Sequence, residues 1–321
     1  MLLNLREYQR PGEDAQPGRQ RERLDEALAL LARPHLRTVA LAGGGALLGS
    51  SDLSVDAVVD LQGLGLDEIA VDGPAGQGGK ARLRIGAMAT RTALAGALPA
   101  QRWFGGVLAE GARRWQGSVQ RNRATAGGAV AVAAATDPLL VALLVCDAAV
   151  ALYTEDGPRA MLLAEFLPSR RATLAAPALI TDILVPAPAD QVQNVAPGPA
   201  QGQSGAGDPQ AGPAAALAMV GRTPADDPIV VAGACLRIEG RRCAWARLAL
   251  GGIAAEPRRL PEIEDRLAGQ ELNEALIASA CAALQEAVQP EGDFRGSAEY
   301  RRHLARVLGE RALSAACERA G

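Results

Sequence analysis

The chain has 321 residues, enough for about two domains, and is 49% apolar but only 3% aromatic, so its cores must be built from Leu, Val and Ala. A net charge of −3 gives no basic field to draw it to nucleic acid. Its five cysteines (146, 235, 243, 281 and 317) form no C-x-x-C pair and its two histidines, His35 and His303, stand apart, which excludes a clustered iron–sulfur or zinc site and His- or Cys-based catalysis.

The opening MLLNLREYQRPGED meets charge within six residues and has no signal-peptide core, so a cytoplasmic address is expected. Leu24, Leu28 and Leu31, spaced i, i+4 and i+7, predict an amphipathic helix over Arg21–Arg33. TVALA (38–42) predicts a strand running straight into a first glycine turn, LAGGGALL. DAVVDL (56–61) and RLRIGA (82–87) are further strands, separated by the glycine-rich turn VDGPAGQGGKA. A second glycine turn, TAGGA, spans Thr125 to Ala129. Asp137 reads as the N-cap, with Pro138 in the first turn, of a helix carrying Leu139 to Leu144. The apolar run around it, Ala124–Leu152, is broken by Asp137, Pro138 and Asp147, and so falls short of the ~20 nearly uncharged residues of a membrane span. AAVALY (148–153) and LITDILVP (179–186) predict two more strands.

Composition then changes. Residues 187–214 hold no Leu, Ile or aromatic residue and are dense in Pro, Gly, Gln and Ala, which predicts a disordered or mobile insertion, either a tether or a tolerated loop. Beyond it, IVVAGACLRI and WARLALGGI predict a hairpin around EGRR. That hairpin would allow a contact between Cys235 and Cys243, with buried, reduced thiols as the plainer reading. Three helices follow, on Leu260, Ile263 and Leu267 closed by Gly269, on Ile277, Cys281, Leu284 and Val288, and on Tyr300, Leu304, Val307 and Leu308. QPEGDFRGSAEY, ahead of the last helix, shows no periodicity and is not expected in the core.

Glycines permit positive φ and let backbone N–H groups converge on an oxyanion, so two glycine turns from different strands could hold the two halves of a pyrophosphate. Neither turn matches G-x-G-x-x-G or the G-x-x-x-x-G-K-[ST] phosphate loop, and each taken alone reads as a simple turn. In company they are more telling. In order, the chain carries YQRP, LDEALALLA, LAGGGALL, VVDLQGL, RIGAMAT, RNRATAGG, TDPLLVALLVCDAAVAL, FLPSRRATLAAPALITDILVP, VGR, RLALGGIAAEPRRLPEIEDRLAG and FRGSAEYRRHLARVL. That succession resembles the FAD-binding medium subunit of molybdenum hydroxylases, the family of carbon monoxide dehydrogenase, aldehyde oxidase and xanthine dehydrogenase. It covers nearly all of the chain outside 187–214.

The resemblance implies an α+β fold with a PCMH-type FAD-binding domain of two subdomains over 1–225, followed over 226–321 by a small α+β domain of the CO dehydrogenase flavoprotein type. It also implies site residues. Leu41, Ala42, Gly43, Gly44, Gly45, Ala46 and Leu47 would wrap the pyrophosphate, and Thr125, Ala126, Gly127, Gly128 and Ala129 would close over it. Asp137 would lie near the ribose or ribityl hydroxyls, a role that competes with its reading as an N-cap. Leu184 would pack beside the flavin. No residue is expected to be catalytic or to bind a metal. The chain departs from the family pattern at Gly45-Ala46, at Ala129, at Ala134-Ala135, in the segment from Gln120 to Asn122, one residue shorter than in the family, and at Met219-Val220, where several side-chain hydrogen bonds to FAD would be lost at about 0.5–1.5 kcal/mol each. The function implied is an electron-transfer flavoprotein subunit working with an iron–sulfur subunit and a molybdenum-cofactor subunit. The alternatives are a structural subunit that no longer holds FAD tightly, or a stand-alone flavin reductase. Phe294, Arg295, Tyr300, Arg301 and Arg302 form the candidate partner surface, unless Tyr300 packs inward and the arginines only face solvent.

Overall fold

The structure is a computed structural model that describes residues 5–12, 20–49, 54–73, 81–188, 212–223 and 226–320. Its first unit is a parallel sheet of β1 (Glu7–Gln9), β2 (Thr38–Leu41) and β3 (Ala57–Asp60) in the order β1-β3-β2. The crossover to β2 is α1 (Gln20–Leu31), which buries Leu24, Ala27 and Leu28 against Val59, Leu61 and Leu64. β3 is the central strand and buried along its whole length, as its uninterrupted AVVD run requires. α2 (Gly45–Gly49) leaves the end of β2.

The second unit is an antiparallel sheet in the order β4-β5-β8-β6-β7, built from β4 (Ile69–Asp72), β5 (Arg82–Gly86), β6 (Ala149–Thr154), β7 (Gly157–Leu162) and β8 (Ala178–Pro186). Between β5 and β6 run α3 (Arg91–Gly96), α4 (Leu98–Arg102), α5 (Val107–Arg113), α6 (Ser118–Arg123), α7 (Ala126–Val132) and α8 (Pro138–Val145), and α9 (Leu163–Thr173) precedes β8. Every residue of α8 is buried, the pattern of a helix enclosed on all sides rather than lying on a surface.

A four-stranded antiparallel sheet follows: β9 (Ala214–Val220), β10 (Val230–Glu239), β11 (Arg242–Gly251) and β12 (Arg258–Arg259), in the order β12-β11-β10-β9. Strand periodicity divides it between two cores. Val231 and Cys235 join the core of α8, while Val230, Ala232, Ala234 and Leu236 join the core formed with Leu304, Leu308 and Leu313 of the last helix. The helices of this unit are α10 (Pro261–Leu267), α11 (Glu274–Ala282), α12 (Leu284–Ala287) and α13 (Ala298–Ala320).

Several sequence expectations change here. Residues 214–220, assigned by sequence to the amino-terminal domain, are β9 of the carboxyl-terminal sheet, paired with β10 from Ala214↔Leu236 to Val220↔Val230. The single helix expected on Ile277 to Val288 is two, α11 and α12, meeting at Ala283. Cys235 sits opposite Arg247 and Cys243 opposite Ile238, each on a different face of the sheet, so the two thiols do not meet. All five cysteines are free. The expected insertion lies, over 189–211, outside the described residues.

Candidate functional site

The first glycine turn is open to a ligand. β2 ends at Leu41 and the chain bends through Ala42, Gly43 and Gly44 into α2, with Gly44 at φ +75°, a left-handed conformation that a branched side chain resists. Gly43 is required for a different reason: a Cβ there would lie 1.8 Å from the carbonyl oxygen of Arg123. The turn therefore rests directly on the end of α6. At Gly45 an added Cβ would meet nothing within 4 Å, and both Gly45 and Ala46 are exposed. Lying at the start of α2, the N–H groups of Gly44, Gly45 and Ala46 have no partner within the helix.

The second turn is tied into the protein. Thr90 and Thr125 form an antiparallel bridge, and Arg91 N donates to Ala124 O at 2.9 Å. Ala126 N donates to Ala89 O and Gly127 N to Ala87 O, at 2.9 and 2.8 Å. Thr125 caps α7, its Oγ1 accepting from Gly128 N at 3.1 Å while its carbonyl accepts from Ala129 N at 3.0 Å. Gly127 is small because a Cβ would stand 2.6 Å from that of Ala87, whereas at Gly128 a Cβ would meet Thr125 Oγ1 alone. The expectation that both turns offer N–H groups to one pyrophosphate is thus corrected. The structure brings the turns together, with Arg123 two residues ahead of Thr125, but the donors of residues 126–129 are satisfied within the chain.

Asp137 is 2% exposed. It caps α8 by accepting from Leu139 N at 2.9 Å, and its other oxygen is ion-paired with Arg91, itself 1% exposed. Of its two sequence readings the N-cap is what the geometry shows. Arg91 stacks over Trp115 at 4.1 Å, and its Nε and Nη1 have no hydrogen-bond partner. Leu184 lies mid-strand in β8, opposite Arg84 of β5 and Ala149 of β6, while its neighbours Ile183 and Val185 point into the core. Arg84 beside it holds Glu68, Asp72 and Asp182 at 2.6, 3.0 and 3.3 Å, and the hydrogen bond to Glu68 raises its pKa further. Ala42 and Met88 both pack against the core of the first unit, so the first turn lies where the first two units meet.

Sequence reading passed over one further feature. Gln116, Arg222, Asp226, Asp227, Ile229 and Arg295 line a cleft of about 210 Å³. They come from three separated segments, and although Arg222, Ile229 and Arg295 each sit in a quoted stretch, no spacing rule joins those stretches.

Residues 19–188 match the family model described as the FAD binding domain in molybdopterin dehydrogenase, and residues 215–316 that of the CO dehydrogenase flavoprotein C-terminal domain. The chain belongs to this family. Its FAD-binding domain contains both glycine turns, Asp137 and Leu184, and FAD is the cofactor such a domain holds. Among the family's members, the glyceraldehyde dehydrogenase medium chain of Sulfolobus acidocaldarius is 26% identical over 199 residues, 61% of this chain and 63% of that one. The 6-hydroxypseudooxynicotine dehydrogenase complex subunit alpha of Paenarthrobacter nicotinovorans is 31% identical over 202 residues, 62% of this chain and 61% of that one. These matches span less than two thirds of either relative. Carbon monoxide dehydrogenase from Hydrogenophaga pseudoflava shares the fold over 100% of both chains, with a TM-score of 0.81 at 24% identity. No helix among the described residues is long and apolar enough to cross a membrane.

The residues present fit the family's cofactor unevenly. The open, donor-bearing first turn suits a pyrophosphate, whereas the second turn can supply only a smooth wall of small residues, and Asp137 is enclosed.

Proposed function

We propose that this chain is the FAD-binding electron-transfer subunit of a multi-subunit molybdenum hydroxylase, working in the cytoplasm. Electrons would come from iron–sulfur clusters on a partner chain, after substrate oxidation at a molybdenum cofactor on another, and leave to an external acceptor. The observation that carries this reading is the contact of the two glycine turns at Gly43 and Arg123 inside a domain of the FAD-binding family. FAD supplies the redox chemistry when bound. The chain's part is to bind and orient it. The N–H groups of Gly44, Gly45 and Ala46 would donate to phosphate oxygens, Thr125 to Ala129 would form a close-fitting wall, and Leu184 would cover apolar ring surface.

A second reading, a structural subunit with weakened FAD binding, is favoured by the satisfied N–H groups of Gly127 and Gly128 and the enclosed Asp137. A pull-down with candidate iron–sulfur and molybdenum chains, followed by addition of the complex's substrate without acceptor, separates the two. The electron-transfer reading expects co-purification and bleaching of the flavin. Co-purification of a colourless subunit supports the structural reading, and recovery of an uncomplexed flavoprotein contradicts both.

A further inference from the structure

We propose that Arg91 is the positioning residue for the second wall of the flavin site, holding Asp137 in a buried ion pair in place of any contact between Asp137 and the cofactor. The inference deepens the FAD-binding reading and rests on it. Arg91 grips the 124–137 segment at both ends. Its backbone N–H donates to Ala124 O at 2.9 Å, next to the Thr90–Thr125 bridge, and its guanidinium pairs with Asp137 at the start of α8. Between those anchors lie the glycine turn, α7 and Ala133, which is held at φ +52°. A non-glycine residue stays in that left-handed conformation only where its surroundings over-determine it. The pair is closed from above by the Trp115 ring at 4.1 Å. Packing alone does not explain an arginine here, because its Nε and Nη1 are buried without partners, a costly arrangement that an apolar residue would avoid. Asp137 is buried, with one oxygen turned to Leu139 N and the other to Arg91, so the carboxylate presents no exposed oxygen to a ligand hydroxyl.

The test uses the full chain and two readouts, the FAD dissociation constant from quenching of flavin fluorescence and the thermal midpoint. Arg91→Met should lower the midpoint and weaken FAD binding roughly tenfold. The double variant Arg91→Met, Asp137→Asn leaves no charge unpaired and keeps a side-chain oxygen to cap α8, so its midpoint should recover while its FAD binding stays weak. This variant also carries the test if the single one does not fold. Recovery of both readouts together would show a merely structural pair and overturn the inference. Asp137→Asn that weakens FAD at an unchanged midpoint would overturn it too, by showing that Asp137 touches the cofactor. A wild-type chain that binds no FAD overturns the underlying reading and the inference with it, and is distinct from wild-type binding that the variants leave intact.

Discussion

At the residue scale, the glycines of the two turns serve different ends, and substitution separates them. Gly45→Val adds a Cβ that meets nothing within 4 Å at an exposed position, so the thermal midpoint should hold while FAD is lost, because the added methyls would occupy the phosphate's approach. Gly43→Val would drive its Cβ into Arg123 O and should destabilise the protein as well as release flavin. Parallel thermal melts and flavin quantification read both outcomes. Equal losses of stability would contradict the division. The cysteines give a second residue-scale test. Burial pushes Cys235 and Cys281 up to about 12 and Cys243 up to about 11, and raises Cys146 and Cys317 as well. Thiols raised in the folded state favour folding below their unfolded pKa, and that contribution fades as pH climbs through the folded values. Stability measured by urea titration should therefore fall between about pH 9 and 12. A thiol reagent at pH 8 should label Cys317 before the four buried ones.

At the element scale, α8 and the strands around it were legible because their signals are local. Asp137-Pro138 announces an N-terminus, and eight consecutive apolar residues leave no polar face to misassign. The short strands β1 and β4 were not legible. EYQ has neither alternation nor length, and the end of β4 runs into a glycine-rich turn. Ala214–Val220 was misassigned because AAALAMV has no polar positions to mark a face, and its register is fixed only by β10. Leu140→Ala, at the centre of α8, should cost about 3 kcal/mol by chemical denaturation, since the enclosing layers leave little room to collapse. Glu264 is a second nonlocal device. Its carboxylate accepts from Leu248 N at 2.9 Å and from Arg259, which also reaches Asp147 at 2.9 Å, tying α10 to β11, β12 and the end of α8. Glu264→Ala leaves that buried N–H without its acceptor and Arg259 with Asp147 as its remaining partner, and should cost about 2–3 kcal/mol. A loss under 0.5 kcal/mol would contradict this role.

At the scale of the whole molecule, the family order of motifs conveyed the architecture, but it could not convey which polar groups face outward. Arg301, expected at a partner surface, is buried and donates to Ile229 O and Gly252 O while pairing with Asp293 at 2.7 Å. Phe294, Tyr300 and Arg302 of that surface face solvent, Phe294 most of all at 81% exposed, with Arg295 5.4 Å and Arg222 5.9 Å from its ring. If this face docks a partner chain, Phe294→Ala with Arg295→Glu should weaken co-purification without shifting the thermal midpoint, whereas Arg301→Glu should lower the midpoint itself. The N-cap role of Asp137 was legible, but its ion pair was not, for a related reason: its partner, Arg91, comes from a helix 46 residues earlier that no spacing rule connects to it. The central claim is that the two apposed turns hold FAD, and the visible absorption spectrum of the purified chain, with flavin released and counted against protein, tests it most directly. The account predicts flavin bands and close to one FAD per chain, lost in Gly45→Val. A colourless, folded wild-type chain that takes up no added FAD would contradict it.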